Sequence, residues 1–311
     1  MTKSKTVEIE KVHVIRSILV KALQNIGKSF PEIDALPLYY KELIKLTLDY
    51  VQLKKSLGSM RWAYLRIEEF SNKTTVKMKK AATITFINNA RREYYGRVSS
   101  IMRQINEYLI YLEEARRMMK SYPDIKEDFI TVALCGLPNV GKSTLLKSLT
   151  SANPEIKSYP FTTKTLNMGY FRTQTRAYQI IDTPGALDRP LEKSNEIEKQ
   201  AYLALNLITD MVIFVFDPSE TSGYTLEEQY NVFSKILEFP VIKQKGLKIL
   251  LVLNKSDLKA ERKKELLDKL EKKKKEKKAL WNIFEISAAN QQCIDKVKEE
   301  ILLMKPQRSL E

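Results

Sequence analysis

The run Gly136-Leu137-Pro138-Asn139-Val140-Gly141-Lys142-Ser143-Thr144 directly follows the apolar stretch Ile130 to Cys135. Two glycines bracket four residues and lead into Lys-Ser, the spacing of a phosphate-binding loop. Glycine lets the backbone wrap closely around a phosphate chain, so that successive N–H groups point inward at its oxygens. A helix is predicted over 142–151, and its N-terminal donors and dipole favour the same anion. Lys142 can reach β- and γ-phosphates as a point charge, and the Ser143 hydroxyl can ligate Mg²⁺. Gly136, Pro138, Asn139, Val140, Gly141 and Thr144 complete the cradle.

Four further pieces follow in order. Tyr159-Pro160-Phe161-Thr162-Thr163 offers a threonine hydroxyl that would complete the Mg²⁺ shell while its N–H meets the γ-phosphate; Thr163 is the better placed. Asp182-Thr183-Pro184-Gly185 would hold Mg²⁺ through water at Asp182 and contact the γ-phosphate at the Gly185 N–H. Loops held by a γ-phosphate are released on its hydrolysis, which makes them switches. In Asn254-Lys255-Ser256-Asp257 the carboxylate presents two acceptors to a base edge with two donors, which is guanine and not adenine. The Lys255 stem can cover the ring face, and a backbone N–H of Ser287-Ala288-Ala289 would meet the guanine O6. An Asn-Lys-x-Asp tetrapeptide alone is commonly a helix cap. Five pieces in this order separate GTP and GDP from adenine nucleotides as ligands, with Lys142, Thr163 and Gly185 nearest the reacting phosphate.

Strands and helices must bring these pieces together. Strands are predicted near 129–135, 167–173, 176–182, 211–217, 247–253 and 282–286, alternating with helices near 142–151, 195–208, 225–238, 259–278 and 291–304. The second and third strands are separated only by Gln174-Thr175 and should pair as a hairpin; the others need crossovers and should be parallel. Residues 126–311 thus read as an α/β nucleotide domain with a mixed, mostly parallel six-stranded sheet. Residues 1–125 read as an all-α helical bundle. There Ile15, Ile18, Leu19, Ala22 and Ile26 recur at helical spacing, as do Leu43, Leu46, Tyr50 and Leu53. Pro31, Pro37 and Gly58 mark breaks. One exceptionally long helix is predicted from about Thr75 to Lys120, its apolar face formed by Phe86, Ala90, Tyr94, Val98, Ile101, Ile105, Tyr108 and Leu112.

At 311 residues, 43% hydrophobic and 29% charged, the chain has room for two domains with their own cores. Its apolar runs are too short to span a bilayer, and nothing at the N-terminus reads as a signal peptide. Cys135 and Cys293 are too few for a disulfide framework and read as small core residues. His13 is the sole histidine, which excludes histidine-based catalysis at the phosphate loop. The net charge is +15, and two stretches carry most of it. Lys73, Lys77, Lys79, Lys80, Arg91, Arg92, Arg97 and Arg103 stand against Glu93 alone, and the helix near 259–278 holds eleven basic residues against five acidic ones. Such patches suit a phosphate backbone or an anionic membrane surface; a plain solvated helix face is the alternative for each.

The order of the motifs, the helical domain ahead of them, and the runs Asp182-Thr183-Pro184-Gly185-Ala186-Leu187-Asp188-Arg189-Pro190 and Asp217 through Thr225 resemble the nucleolar GTP-binding protein 1 family. That family is a branch of the Obg-related GTPases, and the resemblance covers essentially the whole chain. It implies a GTP-hydrolysing switch that binds the large ribosomal subunit or its precursor, through ribosomal RNA and ribosomal proteins, and assists its maturation. Ala186 departs from the larger aliphatic residue usual there, and no long C-terminal extension of the eukaryotic kind follows. An archaeal-type protein in the cytoplasm, rather than the nucleolus, is the corresponding expectation. Ala186 and Leu187 also stand where Ras-like enzymes carry a glutamine that orients the attacking water, so hydrolysis should be slow until an activating partner or a cation assists. Asn139 is a candidate potassium ligand for that role; a loop-stabilising hydrogen bond is its alternative. A membrane-surface or signalling GTPase, with the basic helix on anionic lipid, is the rival reading, and a GTP-binding module with negligible turnover is another.

Overall fold

Short polar residues cap two of the helices in the first 120 residues. Asp49 accepts from the Gln52 N–H at 2.9 Å to cap one of them, and Thr83 accepts from the Phe86 N–H at 3.4 Å to cap another. The computed structural model describes residues 2–150, 155–158, 165–182, 207–238, 247–277 and 281–304. The chain divides into two compact units, up to Lys120 and from Ser121 onward. The first consists of α1 (Thr2–Ser29), α2 (Leu38–Thr47), α3 (Tyr50–Lys80), α4 (Ile84–Gln104) and α5 (Asn106–Lys120). Helix α3 packs against α1, α4 and α5, and its buried stripe runs through Leu53, Met60, Ala63, Ile67 and Met78.

Three expectations for this unit are corrected. Gly58 lies inside α3 and interrupts nothing. A helical glycine costs only about 1 kcal/mol relative to alanine, less than the burial of Met60 and Ile67 on either flank of the next turns returns. The long helix expected over 75–120 is divided: Ala81–Thr83 end α3 and start α4, and Ile105, with φ −94° and ψ 1°, separates α4 from α5. On α1 the buried residues are Val12, Val20 and Leu23, while Ile18 is exposed. That helix carries apolar residues on two faces, and packing selects one of them.

The second unit is organised on a sheet of order β2-β3-β4-β1-β5-β6-β7. In chain order its elements are β1 (Ile130–Cys135), α6 (Lys142–Leu149), β2 (Glu155–Ser158), β3 (Thr165–Arg172), β4 (Ala177–Asp182), β5 (Met211–Phe216), α7 (Leu226–Leu237), β6 (Lys248–Leu253), α8 (Lys263–Lys277), β7 (Trp281–Glu285) and α9 (Ile294–Leu302). Strand β1 is parallel to both β4 and β5, and β5, β6 and β7 continue in parallel. Strands β3 and β4 form the antiparallel hairpin, closed by the Thr173 N–H on the Arg176 carbonyl at 2.8 Å. The sheet has seven strands rather than six: four-residue β2 adds to the edge beside β3. The helix expected over 195–208 falls mostly outside the described residues.

Strands β1 and β5 are buried along their whole length, as the unbroken apolar runs require of central parallel strands. Phe214, Phe216 and Trp281 pack tilted or edge-on against Phe233 in the core. Cys135 is buried there, whereas Cys293 is exposed at φ 57°. Because β1 lies between β4 and β5, the connections that follow β1 and β4 run to opposite sides of β1, and its carboxyl end is the switch point where open α/β sheets bind ligands. No helix among the described residues is long and apolar enough to cross a membrane.

Candidate functional site

Five strand ends meet at that switch point: Gly136 after β1, Asp182 at the end of β4, Asp217 after β5, Asn254 after β6 and Ser287 just beyond β7. The loop between β1 and α6 turns through three left-handed positions, Gly136 at φ 139°, Asn139 at 61° and Gly141 at 99°. Two of them have no room for a side chain. A Cβ on Gly136 would stand 2.5 Å from the Val215 carbonyl, and one on Gly141 would stand 2.1 Å from Asn254 Nδ2. Val140 is buried and faces Gly136, so its contribution to a ligand is its backbone.

Lys142, the first residue of α6, is buried, and its ammonium donates to the Leu137 carbonyl at 2.9 Å across the mouth of the loop. Burial pushes this ammonium below the ordinary lysine range, against the pull of Asp182. The Ser143 hydroxyl donates to Asp182 Oδ2 at 2.6 Å, and the Asn167 amide donates to the same oxygen at 3.2 Å. A hydroxyl and a buried carboxylate facing each other at a helix N-terminus form a donor set suited to a hard cation. Thr163 and Gly185 lie outside the described residues. Asn139 is exposed and makes no side-chain hydrogen bond among the described residues; the loop-stabilising bond is absent there.

Asn254 is buried and links two loops. Its Nδ2 donates to the Val140 carbonyl at 2.9 Å, and its Oδ1 accepts from the Ala288 N–H at 3.0 Å. Both ends of the amide are therefore occupied in holding the phosphate loop to the 287–293 loop, a positioning role that the expected ligand contact did not include. The Ser287 N–H donates to the Gln292 carbonyl and its hydroxyl accepts from the Asn290 N–H, which leaves the Ala289 N–H as the uncommitted donor of the three among the described residues. Asp257 is exposed, and among the described residues nothing hydrogen-bonds its carboxylate. Lys255, at φ 58°, turns its ammonium onto Asp217 at 2.6 Å. Asp217 was not among the expected site residues; it stood in the sequence only as part of the run to Thr225.

The basic face of the helical unit is less cationic than the residue count. Lys73 pairs with Glu69, Lys77 and Arg97 pair with Glu93, and Arg91 pairs with Glu8. Lys79, Lys80, Arg92 and Arg103 are exposed and carry no ion pair among the described residues. Of the aromatic residues interleaved with them, Tyr94 is buried and Phe86 is 51% exposed. The apolar stripe of α4, from Ile87 through Ala90, Tyr94 and Val98 to Ile101, is turned into the bundle. The second basic stretch is partly neutralised: Arg262 pairs with Glu227 and Glu265, and Lys263 with Glu285.

An open, mostly parallel sheet with a phosphate loop after its central strand and an Asn-Lys-x-Asp loop two strands away defines a P-loop GTPase. Family models agree: residues 131–255 match that of a 50S ribosome-binding GTPase, and residues 1–126 match the NOG1 N-terminal helical domain. The uncharacterized protein MJ1408 of Methanocaldococcus jannaschii is 40% identical over 261 residues, covering 83% of this chain and 71% of that protein. Nucleolar GTP-binding protein 1 of Encephalitozoon cuniculi is 35% identical over 89% of this chain and 51% of its own length. For the Saccharomyces cerevisiae protein of the same name the figures are 30%, 83% and 39%. The chain belongs to the nucleolar GTP-binding protein 1 family, and it spans about half or less of these eukaryotic relatives.

Proposed function

We propose that this GTPase is a nucleotide-controlled switch that associates with large-subunit ribosomal RNA, or its precursor, and assists assembly of that subunit. The observation that carries the proposal is the presence, beside a phosphate-loop site in the same chain, of a basic stretch in which Lys79, Lys80, Arg92 and Arg103 are exposed and make no ion pair among the described residues. Ribosomal RNA is a dense polyanion, and exposed cations with an exposed Phe86 suit phosphate contacts and base stacking. The inward turn of the α4 stripe argues against lipid, since a helix lying in a membrane interface needs that stripe on its surface. The eukaryotic relatives are named as nucleolar proteins, which agrees with this reading.

At the nucleotide, the backbone N–H groups that the 136–144 loop offers on either side of Pro138 and the Lys142 ammonium would cradle the phosphates. Ser143, Asp182 and Thr163 would hold Mg²⁺, which when bound neutralises charge developing on the phosphate oxygens. Gly185 would meet the γ-phosphate. Asp257 would accept from the guanine edge, with the Ala289 N–H at O6. In this reading the protein works in the cytoplasm, with a ribosomal particle and an activating factor for hydrolysis as its partners.

Sedimentation of the tagged full chain with large ribosomal particles tests this, run with a non-hydrolysable GTP analogue and with GDP. Co-sedimentation that depends on the nucleotide is the expected result. Equal absence from the particle fraction in both states would overturn the proposal.

A further inference from the structure

The loop after β5 is built around one buried carboxylate. Asp217 is fully buried; its Oδ1 accepts from the Ser219 N–H at 3.0 Å and from the Ser219 hydroxyl at 2.5 Å. Its Oδ2 accepts from the Ser222 N–H at 2.7 Å, the Thr221 hydroxyl at 3.2 Å and the Lys255 ammonium at 2.6 Å. Thr221 Oγ1 takes a second hydrogen bond from Lys255, at 2.9 Å. Behind them the buried Gln229 amide fixes the strand end, accepting from the Asp217 N–H at 2.7 Å and donating to the Asp217 carbonyl at 3.0 Å. Burial alone would raise the Asp217 carboxyl, but hydrogen bonds from Lys255 and Ser219 outweigh it and hold the group below the ordinary carboxylate range.

A turn over residues 217–222 requires only the Ser219 and Ser222 N–H contacts. The lysine comes from 38 residues further along the chain, from the loop that also carries Asp257. We infer that Asp217 and Thr221 are positioning residues for base recognition: they anchor the Lys255 ammonium so that its aliphatic stem is a preset wall of the base site. This rests on the reading of Lys255 and Asp257 as the guanine site. An unanchored lysine would have to be ordered at each binding event, and an anchor supplied by the protein's own Asp217 and Thr221 removes that entropic cost. The wall serves any purine face, whereas the choice of guanine belongs to Asp257. Losing the anchor should therefore weaken all purine nucleotides by the same factor.

Calorimetric titration of the full chain with GDP, inosine diphosphate (IDP) and ADP separates these roles, using Asp217→Asn, Thr221→Val, Lys255→Met and their doubles. Asp217→Asn should weaken GDP and IDP alike, about tenfold to a hundredfold, the loss typical of a hydrogen bond to a charged group. Thr221→Val, at an exposed position, should cost a few-fold at most and leave the fold intact. Combined with Lys255→Met, neither change should weaken binding beyond Lys255→Met alone, because a residue that acts only through Lys255 has nothing left to position. Additive losses in the doubles, or an Asp217→Asn variant that binds as wild type does, would overturn the inference. If Asp217→Asn does not fold, the Thr221–Lys255 cycle decides it by the same criterion. Wild-type protein that binds ADP as tightly as GDP would instead refute the base-site reading underneath.

Discussion

Asn254 occupies the space that a side chain on Gly141 would need. Its Nδ2 lies 2.1 Å from where a Cβ on that glycine would stand and donates to the neighbouring Val140 carbonyl at 2.9 Å. The phosphate loop and the Asn-Lys-x-Asp loop are thus fitted to each other by a glycine in one and an amide in the other.

Gly141→Ala should abolish nucleotide binding, because φ 99° is costly for an L side chain and the Asn254 amide would be displaced. Asn254→Ala should be milder in shape but leave the Val140 carbonyl and the Ala288 N–H without their partner. A loss of about 2–4 kcal/mol of unfolding free energy is expected for two such groups. Denaturant unfolding of the nucleotide-free variants, with a GDP titration of each, checks both. Wild-type GDP affinity in Gly141→Ala would contradict this geometry.

Lys142 should make nucleotide binding a proton-linked event. Burial holds its pKa below the ordinary lysine value of about 10.4, and a bound phosphate chain would raise it again. Between the folded and ordinary values the unfolded chain binds more protons, so the protein without nucleotide added should gain stability as pH rises through that alkaline window. Over the same window GDP binding should take up a proton. Calorimetry in two buffers of different ionisation heat reads that uptake directly, and Lys142→Met should remove it. Heats that are the same in both buffers would contradict the assignment.

Replacing Asp257 by Asn should weaken GTP and improve xanthosine triphosphate, whose 2-oxo group prefers a donor. Two hydrogen bonds lost in a desolvated site cost on the order of 2–4 kcal/mol. The ratio of the two affinities is the measurement; an unchanged ratio would place guanine elsewhere.

Where the sequence was informative, local sterics were the reason. Gly136 and Gly141 stand at positive φ, a local demand that glycine meets without strain, so their spacing marks the loop, whereas the Val215 carbonyl and Asn254 amide that crowd them come from later strands. The buried strands β1 and β5 follow from unbroken apolar runs. Strand β2 was not legible because Glu155-Ile156-Lys157-Ser158 is short and its pairing with β3 is supplied from across the sheet. The break at Ile105 left no mark either: it carries neither proline nor glycine, and the residue is itself buried. Asp217 and Lys255 meet only once β5 and β6 are paired, and the ion pairs of Arg91 with Glu8 and Lys73 with Glu69 use partners outside the stretch whose charge was counted. Long-range closure is what the linear pattern lacks.

Hydrolysis should be slow. No glutamine follows Gly185, and no arginine stands in the phosphate-contacting motifs, so a rate of about 10⁻⁴ to 10⁻² s⁻¹ is expected without a partner. Potassium should accelerate turnover relative to sodium if Asn139 ligates it, as its exposed and unengaged amide allows. Single-turnover rates in the two salts, for wild type and Asn139→Ala, provide the check. Equal rates, or a potassium response that survives the substitution, would remove Asn139 from the account.

The central claim is that the helical unit docks on RNA, and its most direct measurement is the salt dependence of affinity for large-subunit ribosomal RNA. Lys79, Lys80, Arg92 and Arg103 are the positions to reverse, since reversing Arg91 would set a carboxylate against Glu8 and endanger the fold. Wild type should lose affinity steeply with salt, and the fourfold charge reversal should abolish binding at moderate salt and flatten the slope by about 3 units. GTP affinity should be unchanged in the same variant. Unaltered RNA binding by the variant, or tight binding of wild type to anionic vesicles with none to RNA, would contradict the account.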